Sequence, residues 1–115
     1  MSERHDKVWL IDMLEAAEKG VRDMTDISLE AFLANEILRD AIVYRLQTIG
    51  EAAYNITSEL KEVHPEVEWF KIQGLRHRIV HDYAAIDDTQ IFRITNKYVL
   101  PLVEHLTRIL ESWRD

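Results

Sequence analysis

The amino-acid sequence predicts an all-α protein, an antiparallel helical bundle of four main helices plus a short one. Two observations carry that prediction. Apolar residues recur at steps of three and four along nearly the whole chain, and no stretch alternates strictly as a half-buried strand would. Only three glycines and two prolines interrupt 115 residues, which favours long regular elements. The length suits one domain covering residues 1–115. A hydrophobic share of 47% can fill a core, and 30% charged residues can solvate its surface.

The first helix follows from Leu10, Leu14, Ala17 and Val21, which place it over about residues 3–22. Val8, Ile11 and Met13 widen its apolar stripe. The segment Thr25-Asp26-Ile27-Ser28 is rich in capping residues, and Ser28 or Asp26 caps a short helix through Phe32 and Leu33. Leu38, Ile42, Leu46, Ile49, Ala53, Ile56 and Leu60 then step by three or four, predicting one helix over about residues 35–62. Asn35 is its N-cap, and His64-Pro65 ends it because a residue before proline avoids the helical region. A third main helix starts near Trp69, with Ile72, Leu75, Ile79 and Tyr83 on one stripe. Asp87 or Asp88 caps a fourth, whose stripe runs Ile91, Ile94, Tyr98, Leu102, Leu106, Ile109 and Trp113. With Asp87 as the cap, Gln90 takes the capping-box position. Pro101 lies inside this run and is expected to kink it.

Several functional classes are excluded or disfavoured at this level. The absence of cysteine excludes disulfides, thiolate metal sites and cysteine nucleophiles. No apolar run approaches the ~18 residues that span a bilayer. The N-terminus, MSERHDK, is charged and has no apolar signal core, so a cytoplasmic location without membrane contact is the expectation. The net charge is −7, yet residues 69–81 carry +3 from Lys71, Arg76 and Arg78, with His77 and His81 alongside and no acid. The rest of the chain therefore carries −10. A surface this acidic repels bulk nucleic acid, so any phosphate must be met locally by this one helix.

The stretch from Gly74 to Tyr83, GLRHRIVHDY, concentrates groups suited to phosphodiester chemistry. Histidine titrates near neutrality and moves protons either way. An arginine fork stabilises charge building on phosphate oxygens. RNA carries its own nucleophile, the 2′-hydroxyl, so a metal ion is not obligatory. On a regular helix Arg76 and Tyr83 project about 20° apart, whereas His81 lies about 140° from Arg76. Either the helix ends near His81, or two chains contribute to one site. Transfer through a 2′-hydroxyl needs a base and then an acid, and a two-fold dimer supplies two histidines.

Arg76-x4-His81-x-Tyr83 matches the Arg-x4–6-His-x-Tyr pattern of HepT toxins, and the chain resembles that branch of the HEPN superfamily. The likeness extends to IGEAA at Ile49–Ala53, to the tryptophan ahead of GLRHRIVHDY, and to the tail YVLPLVEHL, and so covers essentially the whole chain. It implies a helical homodimer that is a metal-independent endoribonuclease without a cofactor, acting on tRNA or mRNA. Arg76 and His81 fall on the catalytic positions. Tyr83 falls on the tyrosine that the partner antitoxin, the minimal nucleotidyltransferase MntA, modifies with AMP from ATP. Lys71, His77 and Arg78 are supporting cations for phosphate, and Glu51 and Asn55 lie on a polar strip that can face the site. A rival reading is a metal site, since His77 and His81 are spaced i, i+4. The paired Glu-x-x-His motifs of carboxylate-bridged bundle sites are missing, so no metal ligand is assigned. The remaining alternative is a HEPN module that has lost catalysis and binds a nucleotide or a partner protein.

Overall fold

A computed structural model describes residues 2–82 and 85–114, and within them every regular element is helical. The elements are α1 (Ser2–Met24), α2 (Leu29–Leu33), α3 (Glu36–Asn55), α4 (Ser58–Val63), α5 (Trp69–Asp82), α6 (Asp88–Ile94) and α7 (Leu100–Glu111). A π-helical turn, Thr95–Val99, joins α6 to α7 without a break. Among the described residues no helix is long and apolar enough to cross a membrane.

Capping chemistry sets most of the boundaries. The Ser28 side chain accepts from the Ala31 N–H, Asn35 from the Leu38 N–H, and Asp87 from the Gln90 N–H. Each satisfies a backbone donor that the first helical turn leaves unpaired. Asp26 turns the chain between α1 and α2 in a left-handed conformation, φ 59°, which a short polar side chain tolerates.

Helix α3 packs against α1 on one side and α5 on the other, and α1 also packs on α7. Asp6, early in α1, bonds Thr57 just past the end of α3, while Asp23, late in α1, pairs with Arg45 nearer its start. The two helices therefore run antiparallel. Leu10, Met13, Ala17, Phe32, Ile42, Leu46, Ile49, Ile79, Ile91 and Leu106 fill the core. Phe32 meets Phe92 as a tilted pair with ring centres 5.5 Å apart, which ties α2 to α6.

Three expectations from the sequence need correction. The helix predicted over residues 35–62 is two helices. Ile56 and Thr57 are extended between them. The buried Asp6 carboxylate accepts from the Thr57 N–H at 2.9 Å and the Thr57 hydroxyl at 2.6 Å, so a side chain 51 positions away holds the break. On α1, Met13 is buried, but Val8 is 54% exposed and Ile11 38%, because α3 and α7 cover a narrower strip than the sequence suggests. In the last helical run, Thr95 and Val99 are buried, whereas Ile94 and Tyr98 are only partly so. The π-helical turn delays the face by about one residue, since its hydrogen bonds span i to i+5. Pro101 follows directly, as the second residue of α7. The proline is thus accommodated by widening the preceding turn.

Candidate active site

Lys71, Arg76, His77, Arg78 and His81 stand on α5, which is helical from Trp69 through Asp82. Ile72, Leu75 and Ile79 bury one face of it against the core. That orientation decides where the polar residues go. Lys71, Gly74, His77, Arg78 and His81 are exposed, and Arg76 sits at the boundary with its side chain 33% accessible.

Gly50 determines how Arg76 is seated. It is buried in α3, and a Cβ built there would lie 2.1 Å from Arg76 Cβ, 2.9 Å from Arg76 Cγ and 3.2 Å from the Ile72 carbonyl oxygen. The backbones of α3 and α5 therefore approach as closely as only glycine permits. The Arg76 stem crosses this contact, and its Nη2 stands 3.9 Å from Glu51 Oε1. That pair is long and partly exposed, so it orients the guanidinium without closing it off from a phosphate. Asn55 donates from Nδ2 to the Glu51 carbonyl at 2.8 Å. The polar strip of α3 thus does lie beside Arg76, through Glu51. Gly50 is the member of this arrangement that sequence reasoning missed. The available signal was a glycine embedded in the longest apolar stripe, where it costs helix stability unless something packs on it.

His77 and His81 form a second group. Their rings face each other across one helical turn with centroids 4.5 Å apart and planes tilted by 47°. Because α5 stays regular through Asp82, Arg76 and His81 remain about 140° apart in azimuth and about 7.5 Å apart along the axis. One chain brings Arg76 to Glu51 and His77 to His81, but it leaves these as two separate groups.

The cationic character of α5 is modified by its neighbours. Lys71 Nζ pairs with Glu68 Oε2 at 3.3 Å, just before the helix begins. Arg78 is exposed at the opposite end. Tyr83, expected from the resemblance to be the modified residue, lies outside the described residues. Among the described residues no cluster of three or more histidine or carboxylate side chains could hold a metal ion.

One buried polar network reaches α5 from behind. Lys61 in α4 donates from Nζ to Gln73 Oε1 at 2.8 Å, one turn ahead of Arg76 and His77. Burial pushes the Lys61 ammonium below its ordinary pKa, and the negative charge of Asp6 opposes part of that shift.

No solved structure matches the chain. A protein of Methanocaldococcus jannaschii, named for an inferred RNase activity, is 34% identical over 99 residues, covering 86% of this chain and 91% of its own. Another from Caldanaerobacter subterraneus, named in the same way, is 30% identical over 104 residues, covering 90% of this chain and 93% of its own. A protein of Thermococcus cleftensis, named by inference as ribonuclease HepT, is 33% identical over 84 residues, covering 73% and 76%. A family model described as ribonuclease HepT-like matches residues 13–109, a span that includes Gly50, Arg76 and His81, and the chain belongs to that family.

Proposed function

We propose that the protein is the toxin of a toxin–antitoxin system and acts as a metal-independent endoribonuclease on cellular RNA, tRNA or mRNA. The observation that carries this reading is the placement of Arg76 and His81 on the solvent side of α5, with Arg76 seated by the Gly50 contact. Family membership and the names of the relatives support it.

In the proposed reaction the RNA 2′-oxygen attacks the adjacent phosphorus. The O2′–P bond forms, the P–O5′ bond breaks, and the product is a 2′,3′-cyclic phosphate with a free 5′-hydroxyl. One imidazole takes the 2′-proton and another gives a proton to the departing 5′-oxygen. His81 is the catalytic acid–base group, and Arg76 stabilises the charge gathering on the non-bridging oxygens. The separation of Arg76 and His81 on one helix supports a homodimer in which α5 of each chain faces one cleft, so that His81 is supplied twice. Lys71, His77 and Arg78 are supporting phosphate contacts.

Control is proposed to act through Tyr83. A nucleotidyltransferase antitoxin transfers AMP from ATP to the phenol oxygen and releases pyrophosphate. The adduct sets a phosphate and a nucleoside two positions beyond His81, where they compete with RNA for Arg76 and its neighbours.

The full-length protein should cleave RNA in EDTA and leave 2′,3′-cyclic ends. His81→Ala should lower the rate by ~10²–10⁴-fold, the usual worth of a positioned proton donor or acceptor. Cleavage that appears only on adding a divalent metal, or that survives His81→Ala unchanged, would overturn the mechanism. Incubation with ATP and the cognate nucleotidyltransferase should add AMP mass to the peptide holding Tyr83. Tyr83→Phe should escape this, and continued ATP-dependent inactivation of that variant would place control elsewhere.

A further inference from the structure

We infer that His77 and His81 form a zinc-binding site on the exposed side of α5, and that zinc held there blocks RNA cleavage by sequestering the His81 imidazole. The ion is an inhibitor here and takes no part in catalysis. The blocking half rests on the ribonuclease reading above, whereas the binding half stands without it.

Spacing is the first argument. Histidines at i and i+4 project from one helix face, the arrangement by which helical H-x-x-x-H pairs in metalloproteins present two imidazoles to one ion. Observed geometry is the second. With Zn–N near 2.0–2.1 Å and each ring centre about 1.1 Å behind its nitrogen, two imidazoles on a tetrahedral zinc have centroids about 5 Å apart. The rings of His77 and His81 already lie 4.5 Å apart, so small side-chain rotations suffice to seat an ion. Within one chain both side chains are exposed, so no described neighbour packs against their rotation and water can fill the remaining coordination positions. Neither ring makes a hydrogen bond or ion pair with another described residue, unlike His64, which pairs with Glu66 at 3.4 Å.

Divalent affinity from two neutral imidazoles is moderate, because structural zinc sites ordinarily use four protein ligands. It suffices for inhibition because one of the two ligands is the acid–base group itself. A histidine nitrogen bonded to zinc can neither accept nor donate a proton, so occupancy translates directly into lost turnover. Arg78 and Asp82, both exposed on the same helix, offset one another in charge, so the two imidazoles alone set the affinity and the site stays reversible.

The test is calorimetric titration of zinc chloride into the full-length protein, in a buffer that does not bind zinc, paired with RNA cleavage across the same zinc range. Histidine ring signals are followed by NMR in parallel. The His77 and His81 signals should shift together. His77→Ala and His81→Ala should each weaken binding at least ~10-fold, since loss of a direct ligand costs no less than the lower end of the ~10–100-fold lost with an outer-sphere partner. His64→Ala and His105→Ala should bind as wild type. Circular dichroism checks that each variant is folded. Cleavage by wild type should fall as zinc occupies the site and return on adding EDTA. Zinc affinity unchanged in both His77→Ala and His81→Ala would overturn the site. Binding at the pair with cleavage undiminished would overturn the blocking role. A protein that binds zinc through the pair yet cleaves no RNA under any condition would overturn the ribonuclease reading and leave the zinc site standing.

Discussion

Replacing Gly50 with alanine adds one methyl group at the α3–α5 contact, and the structure sets the scale of the response. The new Cβ would lie 2.1 Å from Arg76 Cβ, an atom fixed to the α5 backbone, so rotation of the arginine cannot relieve it. Restoring an ordinary carbon–carbon separation of ~3.5 Å requires α5 to withdraw by about 1.4 Å. Overpacking of this kind costs roughly 1–3 kcal/mol. Alanine recovers up to ~1 kcal/mol of helix propensity. The net expectation is a destabilisation of about 1–2 kcal/mol, or a fall of about 4–8 °C in Tm for a chain of this size. The other two glycines are controls for the same chemical change. Among the described residues, a Cβ at Gly74 meets nothing within 4 Å, and one at Gly20 meets only Val99 Cγ1 at an ordinary 3.5 Å. Alanine at either should therefore leave stability unchanged or raise it by ~0.5–1 kcal/mol. Thermal unfolding of the three variants, followed by circular dichroism, gives the comparison. On the proposed function, RNA cleavage by Gly50→Ala should drop further than its stability explains, by up to ~10²-fold, because Arg76 moves by about an ångström. If Gly50→Ala melts at or above wild type, in line with Gly74→Ala, the claim that a close helix approach seats Arg76 is wrong.

Three other expectations follow from the same structure. Asp6→Ala strips the Thr57 N–H and hydroxyl of their acceptor and should destabilise the fold by ~1–3 kcal/mol in urea titration, with Asp6→Asn recovering part of the loss. Lys61 has a folded-state pKa below the ordinary lysine value of 10.5, so the unfolded chain holds the proton more tightly and stability rises with pH through the window between the two values. Lys61→Met should lack that rise, and the stability difference between wild type and this variant should move in favour of wild type as pH climbs towards 10.5; a pH-independent difference would refute the desolvation argument. If two chains build each site, mixing His81→Ala with excess wild-type subunits should give RNA cleavage that departs from strict proportion to the wild-type fraction, and strict proportion would mean each chain works alone.

What the sequence made legible were features with local causes. The caps at Ser28, Asn35 and Asp87 were readable because each acts on an N–H three residues away. The buried stripe Ile72, Leu75 and Ile79 was readable because one periodicity governs a whole helix. The break at Ile56-Thr57 was not, since the acceptor that holds it arrives from Asp6 at the far end of α1. Local clues existed in Thr57 and Ser58, both better caps than helix interiors, but Ile56 and Leu60 kept the apolar period running through them. The exposure of Val8 and Ile11 depends on how much of α1 its neighbours cover, which periodicity does not encode. At the candidate site, the motif nominates Arg76 and His81, and the helical repeat gave their angular separation, which the regular course of α5 keeps. The Gly50 contact that seats Arg76 is a property of two helix surfaces together, so no single stretch of sequence displays it.

The π-helical turn at Thr95–Val99 has a consequence for how this chain can change length. Relative to an α-helix of the same span, that turn stores one surplus residue, and the faces before and after it already fit the core: Ile91 upstream, and Leu102, Leu106 and Ile109 downstream. Deleting an exposed residue there, such as Lys97, would convert the turn to ordinary α-helix and leave both faces in register, where a deletion elsewhere in the helix would rotate one face by about 100°. Pro101 opposes that conversion, because in a regular helix its ring would strike the carbonyl four residues back and its missing N–H would leave that carbonyl unpaired. Loss of the residue and loss of the proline are therefore coupled. The deletion meets this penalty while Pro101 is present and avoids it once the proline is gone, so in this lineage the proline is expected to disappear first.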